Sequence, residues 1–341
     1  MLSTFSEIPV IHAFVPEECP RGAVRKYWLS IASDGFGELI NVPLMVARGL
    51  DDGPVVGITA AIHGNELNGI PVIQRLFRDL DPTRLKGTVV GALTLNVPGL
   101  MLRQRQFNDG TDLNRIAPGR PDGNRSEIYI HRLVERLLPP INYLIDLHTA
   151  SAGRINSWYI RADMEQPATA RMARLQNPDI ILNNAANDGT FRGTASAMGI
   201  DAITLELRDP HIFQKDVITD ALQGVWRVLA DLQMIEGIAP SRTEPTILCP
   251  DSYWTYCDDG GILSVPPRLG QLLRAGDVIA ELCDVFGRIK KKYLAEEDGI
   301  VIGKSVDPIA QTGSRILHLG QGPVVLSPNN GSYSLKNTAS L

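Results

Sequence analysis

Between Val55 and Leu80 the hydrophobic pattern changes period once. Val55–Ile62 is an uncharged run of strand length, and beyond it Leu67, Ile70, Ile73, Leu76, Phe77 and Leu80 recur at the spacing of one helix face. That pair of patterns predicts a buried strand followed by an amphipathic helix. Upstream, residues 1–20 read as an irregular arm. Lys26–Ser33 and Leu39–Ala47 alternate as two antiparallel strands around Ser33-Asp34-Gly35, and Asp51-Asp52-Gly53-Pro54 reads as a turn. Downstream, Gly87–Leu95, Tyr143–Leu147, Ser157–Ile160 and Asp201–Leu207 read as strands, and Pro167–Leu175 and Val217–Met234 as helices. Ser126–Leu138 reads as a helix with Ser126 as its N-cap and Pro139-Pro140 ending it. Residues 99–125 are rich in Arg, Asn, Asp, Gly and Pro and show no period, which in a compact domain marks a functional loop.

Strands alternating with helices predict an α/β fold with a mixed, mostly parallel central sheet covered by helices on both faces. After Gly237 the texture changes. Pro240–Pro245 reads as a linker, and short strands separated by glycine turns then predict a small all-β unit. The expected division is 1–239 for the α/β domain with its N-terminal β arm, 240–327 for the β module, and 328–341 for a flexible tail.

Composition removes several alternatives. The chain has 341 residues, is 44% hydrophobic and 21% charged, and carries a net charge of −5 without a long basic block, so nucleic acid is not an expected partner. No apolar run is long enough to cross a bilayer, and the N-terminus has no secretory pattern. Cys19, Cys249, Cys257 and Cys283 have no C-x-x-C spacing, which fits a reduced, cytoplasmic setting.

The chemistry gathers at strand ends. His63-Gly64-Asn65-Glu66 follows the first buried strand, where open α/β sheets collect ligands. His63 and Glu66 are both good zinc donors, although H-x-x-E is equally a helix first turn with an acid near its positive end. His148 ends the strand Tyr143–Leu147, and with His63 and Glu66 makes a His₂Glu set that leaves one position open. Asp146 shares a strand face with His148 and can orient it, or else caps or meets solvent. Glu206 lies among Ile203, Leu205 and Leu207, where it serves as a proton-transfer carboxylate, or else pairs with Arg208 or points to solvent. Asp112-Leu113-Asn114-Arg115, with Arg103 and Arg105 upstream, offers a carboxylate-binding fork and a cation for an oxyanion, or a solvated loop. His12, His131, His211 and His318 have no partner at ligand spacing and read as structural or surface residues.

The ordered set HGNE, DLNR, DLHT and TLEL resembles the succinylglutamate desuccinylase/aspartoacylase family of the zinc carboxypeptidase-like superfamily, over roughly residues 50–235. The resemblance implies one Zn²⁺ on His63, Glu66 and His148, with Glu206 as catalytic base and acid. It implies that Asn114 and Arg115 hold the substrate carboxylate, and that Arg105, or Arg103, polarises the scissile carbonyl. Leu207-Arg208-Asp209 replaces a glycine-containing turn found in many relatives, which bears on pocket shape. The long bacterial branch, which includes deacetylases of acetylated diaminobutyrate, is the most similar. The C-terminal module resembles a lipoyl-type barrel-sandwich, but its hairpin Ala295–Gly299 lacks the carrier lysine, and Lys290-Lys291-Lys292 reads as a solvated run. Covering the site mouth or making an oligomer contact is the expected role. The function expected is zinc-dependent hydrolysis of a small N-acyl amino acid. A peptide carboxypeptidase and a non-catalytic binding protein on the same scaffold are the alternatives.

Overall fold

In the computed structural model, which describes residues 8–186, 189–237 and 245–326 and the backbone of Lys336–Asn337, the alternating pattern builds one large mixed sheet with helices on both faces. Its strands begin with β1 (Val10–Ile11), β2 (Ala23–Ser33), β3 (Leu39–Arg48), β4 (Asp51–Ala60), β5 (Lys86–Ala92) and β6 (Tyr143–His148). A short β7 (Arg154–Asn156) belongs to a second sheet, and β8 (Trp158–Ala162), β9 (Ile180–Asn183), β10 (Asp201–Leu207) and β11 (Thr246–Cys249) return to the first. At its centre β5, β4, β6 and β10 run parallel, and β8 joins β10 antiparallel. The amino end of β8 therefore lies at the carboxyl edge of its neighbours.

Side chains alternate across a strand, so each central strand feeds two cores. Ile58, Ile145, Leu147, Ile203 and Leu205 pack against α1 (Gly69–Asp79), α4 (Pro167–Gln176) and α6 (Lys215–Asp231). Leu144 and Ala202 pack on the opposite face with α3 (Arg125–Leu137) and α5 (Phe191–Ala197). The same parity continues along this second face into Asp146 and His148 of β6, Thr204 and Glu206 of β10, and Tyr159 and Arg161 of β8. Near the strand ends, that face turns from apolar to polar.

Several local expectations are corrected. Asp51–Pro54 is not a turn but the start of β4, accommodated by a register irregularity between Asp51 and Val55. His63 and Glu66 precede α1 rather than opening it, because the helix begins at Gly69 and a turn with Glu66 N–H donating to the His63 carbonyl (3.1 Å) intervenes. The stretch from 97 onward is not wholly irregular: α2 (Val97–Leu102) is capped by Asn96 with Pro98 in its first turn, and Leu113–Arg115 is a 3-10 turn. The N-cap of α3 is Asn124, not Ser126, because Asn124 and Glu127 form a reciprocal capping box. The N-terminal arm contributes β1, and β9 and α5 add elements that the periodicity did not mark.

Beyond β11 the described chain is all β: β12 (Asp251–Tyr256), β13 (Gly261–Ser264), β14 (Leu272–Leu273), β15 (Val278–Cys283), β16 (Ile289–Leu294), β17 (Gly299–Ser305), β18 (Ile309–Ala310) and β19 (Arg315–Gln321). They form two small sheets around Leu263, Ile279, Leu282, Val301, Ile316 and Leu317. β11 and β20 (Val324–Leu326) are strands of the large sheet, and β7 pairs with β17, so the module is joined to the α/β part by two ladders. The linker expected at 240–245 lies outside the described residues except for Pro245. So does the tail 328–341, apart from β21 (Lys336–Asn337), which pairs with β20.

Candidate functional site

Three chain segments meet at the carboxyl edge. Past β4, Ala61 takes a left-handed backbone (φ 52°), turning the chain so that His63 and Glu66 face the end of β6. Gly64 makes that turn feasible, since a methyl on it would overlap the backbone of Gly99 and Leu100 at α2. His148 closes β6, and β10 places Glu206 beside it in register, with Tyr159 of β8 on its other side.

His63, Glu66 and His148 are buried, and one donor atom from each lies within 4.8 Å of the others. His63 Nδ1 is 2.9 Å from Glu66 Oε1, and His148 Nδ1 is 3.0 Å from Glu66 Oε2. Each imidazole is held through its other nitrogen: His148 Nε2 by Asp146 Oδ2 (2.8 Å), His63 Nε2 by Asp112 Oδ1 (3.1 Å). Thr59 Oγ1 donates to Asp146 (2.7 Å), and the Asn114 N–H donates to Asp112 (3.0 Å), fixing both carboxylates. Glu66 also accepts from the Thr149 N–H (3.1 Å) and from Ser151 Oγ (2.8 Å).

Electrostatics follow from this packing. Burial would raise the Glu66 carboxyl, but the charges and hydrogen bonds of His63 and His148 outweigh it and hold Glu66 well below the usual range. Burial likewise opposes protonation of His148, yet Asp146 and Glu66 lift it well above the ordinary imidazole value. Asp112 is held far down by His63, Arg105 and Arg115 against its own burial. A divalent cation would take over the role that protons play between these groups.

A cavity of about 420 Å³ opens beside the triad, the size of a small-molecule site. Glu206 lies in its wall, with Asn156 Nδ2 3.3 Å and Arg161 Nε 3.5 Å from its two oxygens. It does not pair with Arg208, which binds Asp216. Arg105 Nη1 is 3.2 Å from Glu66 Oε1 and also donates to Ser151, while its Nε holds Asp112 (3.0 Å). Asn114 accepts the Phe191 N–H through Oδ1 (2.8 Å), which leaves its NH₂ group for the cavity, and Arg115 lies beside it. Arg103 is not brought in: it ends α2 in a left-handed conformation (φ 55°), is exposed, and takes no part in the lining.

The structure also brings in residues that the sequence did not single out. Asp112 stood inside a quoted motif, and only its histidine partner was invisible. Arg161 follows from the alternation of β8 once that strand is paired with β10. Ser151, Arg154, Arg192, Trp254 and Arg315 carried no local signal. Arg192 is pushed down to about 10 by burial and by Arg161.

Residues 52–232, more than half of the chain, match the family model described as succinylglutamate desuccinylase/aspartoacylase catalytic domain. The chain is 26% identical over 305 residues to an N-alpha-acetyl-L-2,4-diaminobutyric acid deacetylase of Halomonas elongata, covering 84% of this chain and 88% of that protein. It is 31% identical over 173 residues to a succinylglutamate desuccinylase of Pseudomonas paraeruginosa, spanning 46% of this chain and about half (51%) of that relative. Solved structures share the fold: a product-bound ectoine utilization protein of Ruegeria pomeroyi has a TM-score of 0.81 at 21% identity, covering 88% of this chain and 96% of that one. A succinylglutamate desuccinylase/aspartoacylase from Rhodobacter sphaeroides has a TM-score of 0.78 at 21% identity, covering 88% and 97%. The chain belongs to the succinylglutamate desuccinylase/aspartoacylase family.

Proposed function

We propose that this chain hydrolyses the amide bond of a small N-acyl amino acid, using one zinc ion held by His63, Glu66 and His148. The observation that carries this reading is the buried His₂Glu set beside a further carboxylate, Glu206, in the wall of one cavity. The donor chemistry fits zinc: two imidazoles and a carboxylate supply three ligands and leave a fourth position open. One donor atom from each of the three residues lies within 4.8 Å of the others, close enough for a single ion to be held by all three. Asp146 and Asp112 fix the imidazole orientations, as partners of metal-bound histidines do. Zinc in this position supplies Lewis-acid polarisation of a carbonyl and a lowered pKa for water.

The remaining steps belong to the protein. Glu206 accepts the proton of the attacking water and passes it to the departing amine. Asn156 and Arg161 hold its carboxylate in place. Arg105 donates toward the oxyanion that develops on the acyl oxygen. Asn114 Nδ2 and Arg115 hold the substrate carboxylate by paired, charge-assisted hydrogen bonds. The names of the relatives support the reaction class, since one removes acetyl from diaminobutyric acid and others remove succinyl from succinylglutamate. The test is a panel of N-acetyl and N-succinyl amino acids set against dipeptides with free C-termini. N-acyl amino acids are expected to be cleaved faster, and a chelator is expected to stop the reaction. Preference for peptides, or no turnover by zinc-loaded protein, would overturn the reading.

A further inference from the structure

The four-stranded sheet of the C-terminal module runs in the order β16-β15-β13-β18 and carries apolar residues on both faces. Its inner face is the module core, where Leu263, Ile279, Leu282 and Tyr293 are buried. An antiparallel sheet with one packed face is ordinarily polar on the other. Here Ile309, Ile262, Cys283 and Ile289 are register partners across all four strands, so they form one row on the outer face. The three isoleucines are 59%, 41% and 49% exposed. Val278 and Leu294, paired with each other and exposed, lie further along the β15–β16 hairpin. Val285 and Phe286 stand at its tip, with Phe286 92% exposed. Together these side chains offer on the order of 500 Å² of apolar surface, the level at which exposure marks an interaction site.

The charges on this face identify the occupant. Between the two apolar rows run Ser264, Glu281 and Lys292, also register partners, with Lys292 Nζ 2.8 Å from Glu281 Oε1. At the margin Lys290 pairs with Asp259 (2.5 Å), Lys291 with Asp258, and Arg288 with Asp284 (3.4 Å). Each of these bases is matched by an acid, although the chain as a whole carries a net charge of −5. A polyanion, an anionic membrane or a strongly charged protein calls for a surface of one sign. A neutral face with both signs in one row suits a second copy of itself, because across a twofold axis Glu281 of one protomer meets Lys292 of the other. Strand addition at the β16 edge is disfavoured, since that edge has a register irregularity beside Cys283 and carries three consecutive lysines. The contact is therefore face to face, as between the layers of a β-sandwich.

We propose that the outer face of this sheet is a homodimer interface, in which two copies of the chain pack their Ile309–Ile262–Cys283–Ile289 rows together about a twofold axis. A standard interface takes about 800 Å² from each partner, which the apolar rows with the charged row between them can supply. The proposal is independent of the hydrolase reading, because none of these residues lines the cavity beside the triad.

The test is sedimentation of the full chain over a concentration series, for wild type, Ile262→Asp, Phe286→Ser and Phe36→Ser. Phe36 is the control. It is as exposed as Phe286 and sits in the same kind of Asp-anchored turn, but at the tip of the β2–β3 hairpin of the large sheet. Wild type is expected to be a dimer at micromolar concentration. Ile262→Asp is expected to weaken dimerisation by about 30-fold or more, because a central contact is lost twice across the axis. Phe286→Ser is expected to weaken it less, and Phe36→Ser to leave it unchanged. Cys283 gives a second readout without mutation, since it is half-buried while Cys19, Cys249 and Cys257 are buried. Its labelling by a maleimide is expected to slow as the wild type is concentrated through the dimer range. A chain that stays monomeric at every concentration, including one that sediments with anionic vesicles instead, overturns the proposal. So does a dimer that Ile262→Asp leaves intact, or labelling of Cys283 that is independent of concentration.

Discussion

Glu206 and His148 stand side by side in register, one at the end of β10 and the other at the end of β6. Glu206→Gln keeps the size, and its single carbonyl oxygen accepts from one of the two donors Asn156 and Arg161, while removing the proton carrier. Zinc content is expected to be unchanged, with kcat lowered by about 10²–10⁴-fold; steady-state kinetics with elemental analysis checks both. Asp146→Asn and Asp112→Asn each disturb the partner of a ligand imidazole, and zinc affinity is expected to fall by about 10–100-fold in a competitive chelator titration. Asp146 could be read from the sequence because a period of two puts it on the strand face of His148, and Glu206 because it is a carboxylate among the apolar strand residues Ile203, Leu205 and Leu207. The partnership of Asp112 with His63 was not, since it spans two loops. His318, which the sequence marked as structural or surface, is buried behind Trp254. Burial and the charges of Arg161, Arg315 and Arg154 hold it well below the ordinary imidazole value of 6.5. As pH falls through that value, the unfolded chain takes up a proton that the folded one refuses, so stability present above it is lost on acidification. Thermal melts from pH 7.5 to 5 are expected to fall less steeply in His318→Phe, which retains a ring against Trp254. Parallel slopes would show that His318 takes up its proton equally in the folded and unfolded chain, against this account.

At the scale of elements, the turn between β4 and α1 carries most of the local chemistry. Gly64→Ala places a methyl against the Gly99 and Leu100 backbone, which cannot rotate away. The expected cost is about 1–3 kcal/mol with loss of stoichiometric zinc, read by melting temperature and elemental analysis. The strand and helix flanking this turn were plain in the sequence because each is long enough to show its period. α2 was not, because Val97–Leu102 makes fewer than two turns and depends on the Asn96 cap and Pro98. α5 was missed for a tertiary reason: FRGTASA has no apolar stripe, and its first N–H is received by Asn114, which lies 77 positions away in the chain. Asp51–Pro54 resembled a turn by composition, yet Gly53 and Gly87 pack so closely that the strand continues through it.

Across the whole molecule, the α/β architecture and the β-rich C-terminal segment could be read from periodicity and glycine spacing. What the module gives to the cavity could not, because Trp254 and Arg315 meet Arg154 only through pairing between distant strands. That pairing has a consequence at Gly303 of β17, where a methyl would collide with Asn156 Oδ1, whose amide nitrogen supports Glu206. Gly303→Ala is expected to lower kcat without changing zinc content, although it lies outside the family-matched segment. No helix among the described residues is long and apolar enough to cross a membrane. The most direct measurement is zinc per chain and N-acyl amino acid hydrolysis in the same samples of wild type, His63→Ala and His148→Ala, before and after chelation. The expected result is one zinc per wild-type chain, activity that disappears with chelation and returns with zinc, and neither metal nor activity in the variants. Full turnover by metal-free protein, or stoichiometric zinc in both variants, would contradict it.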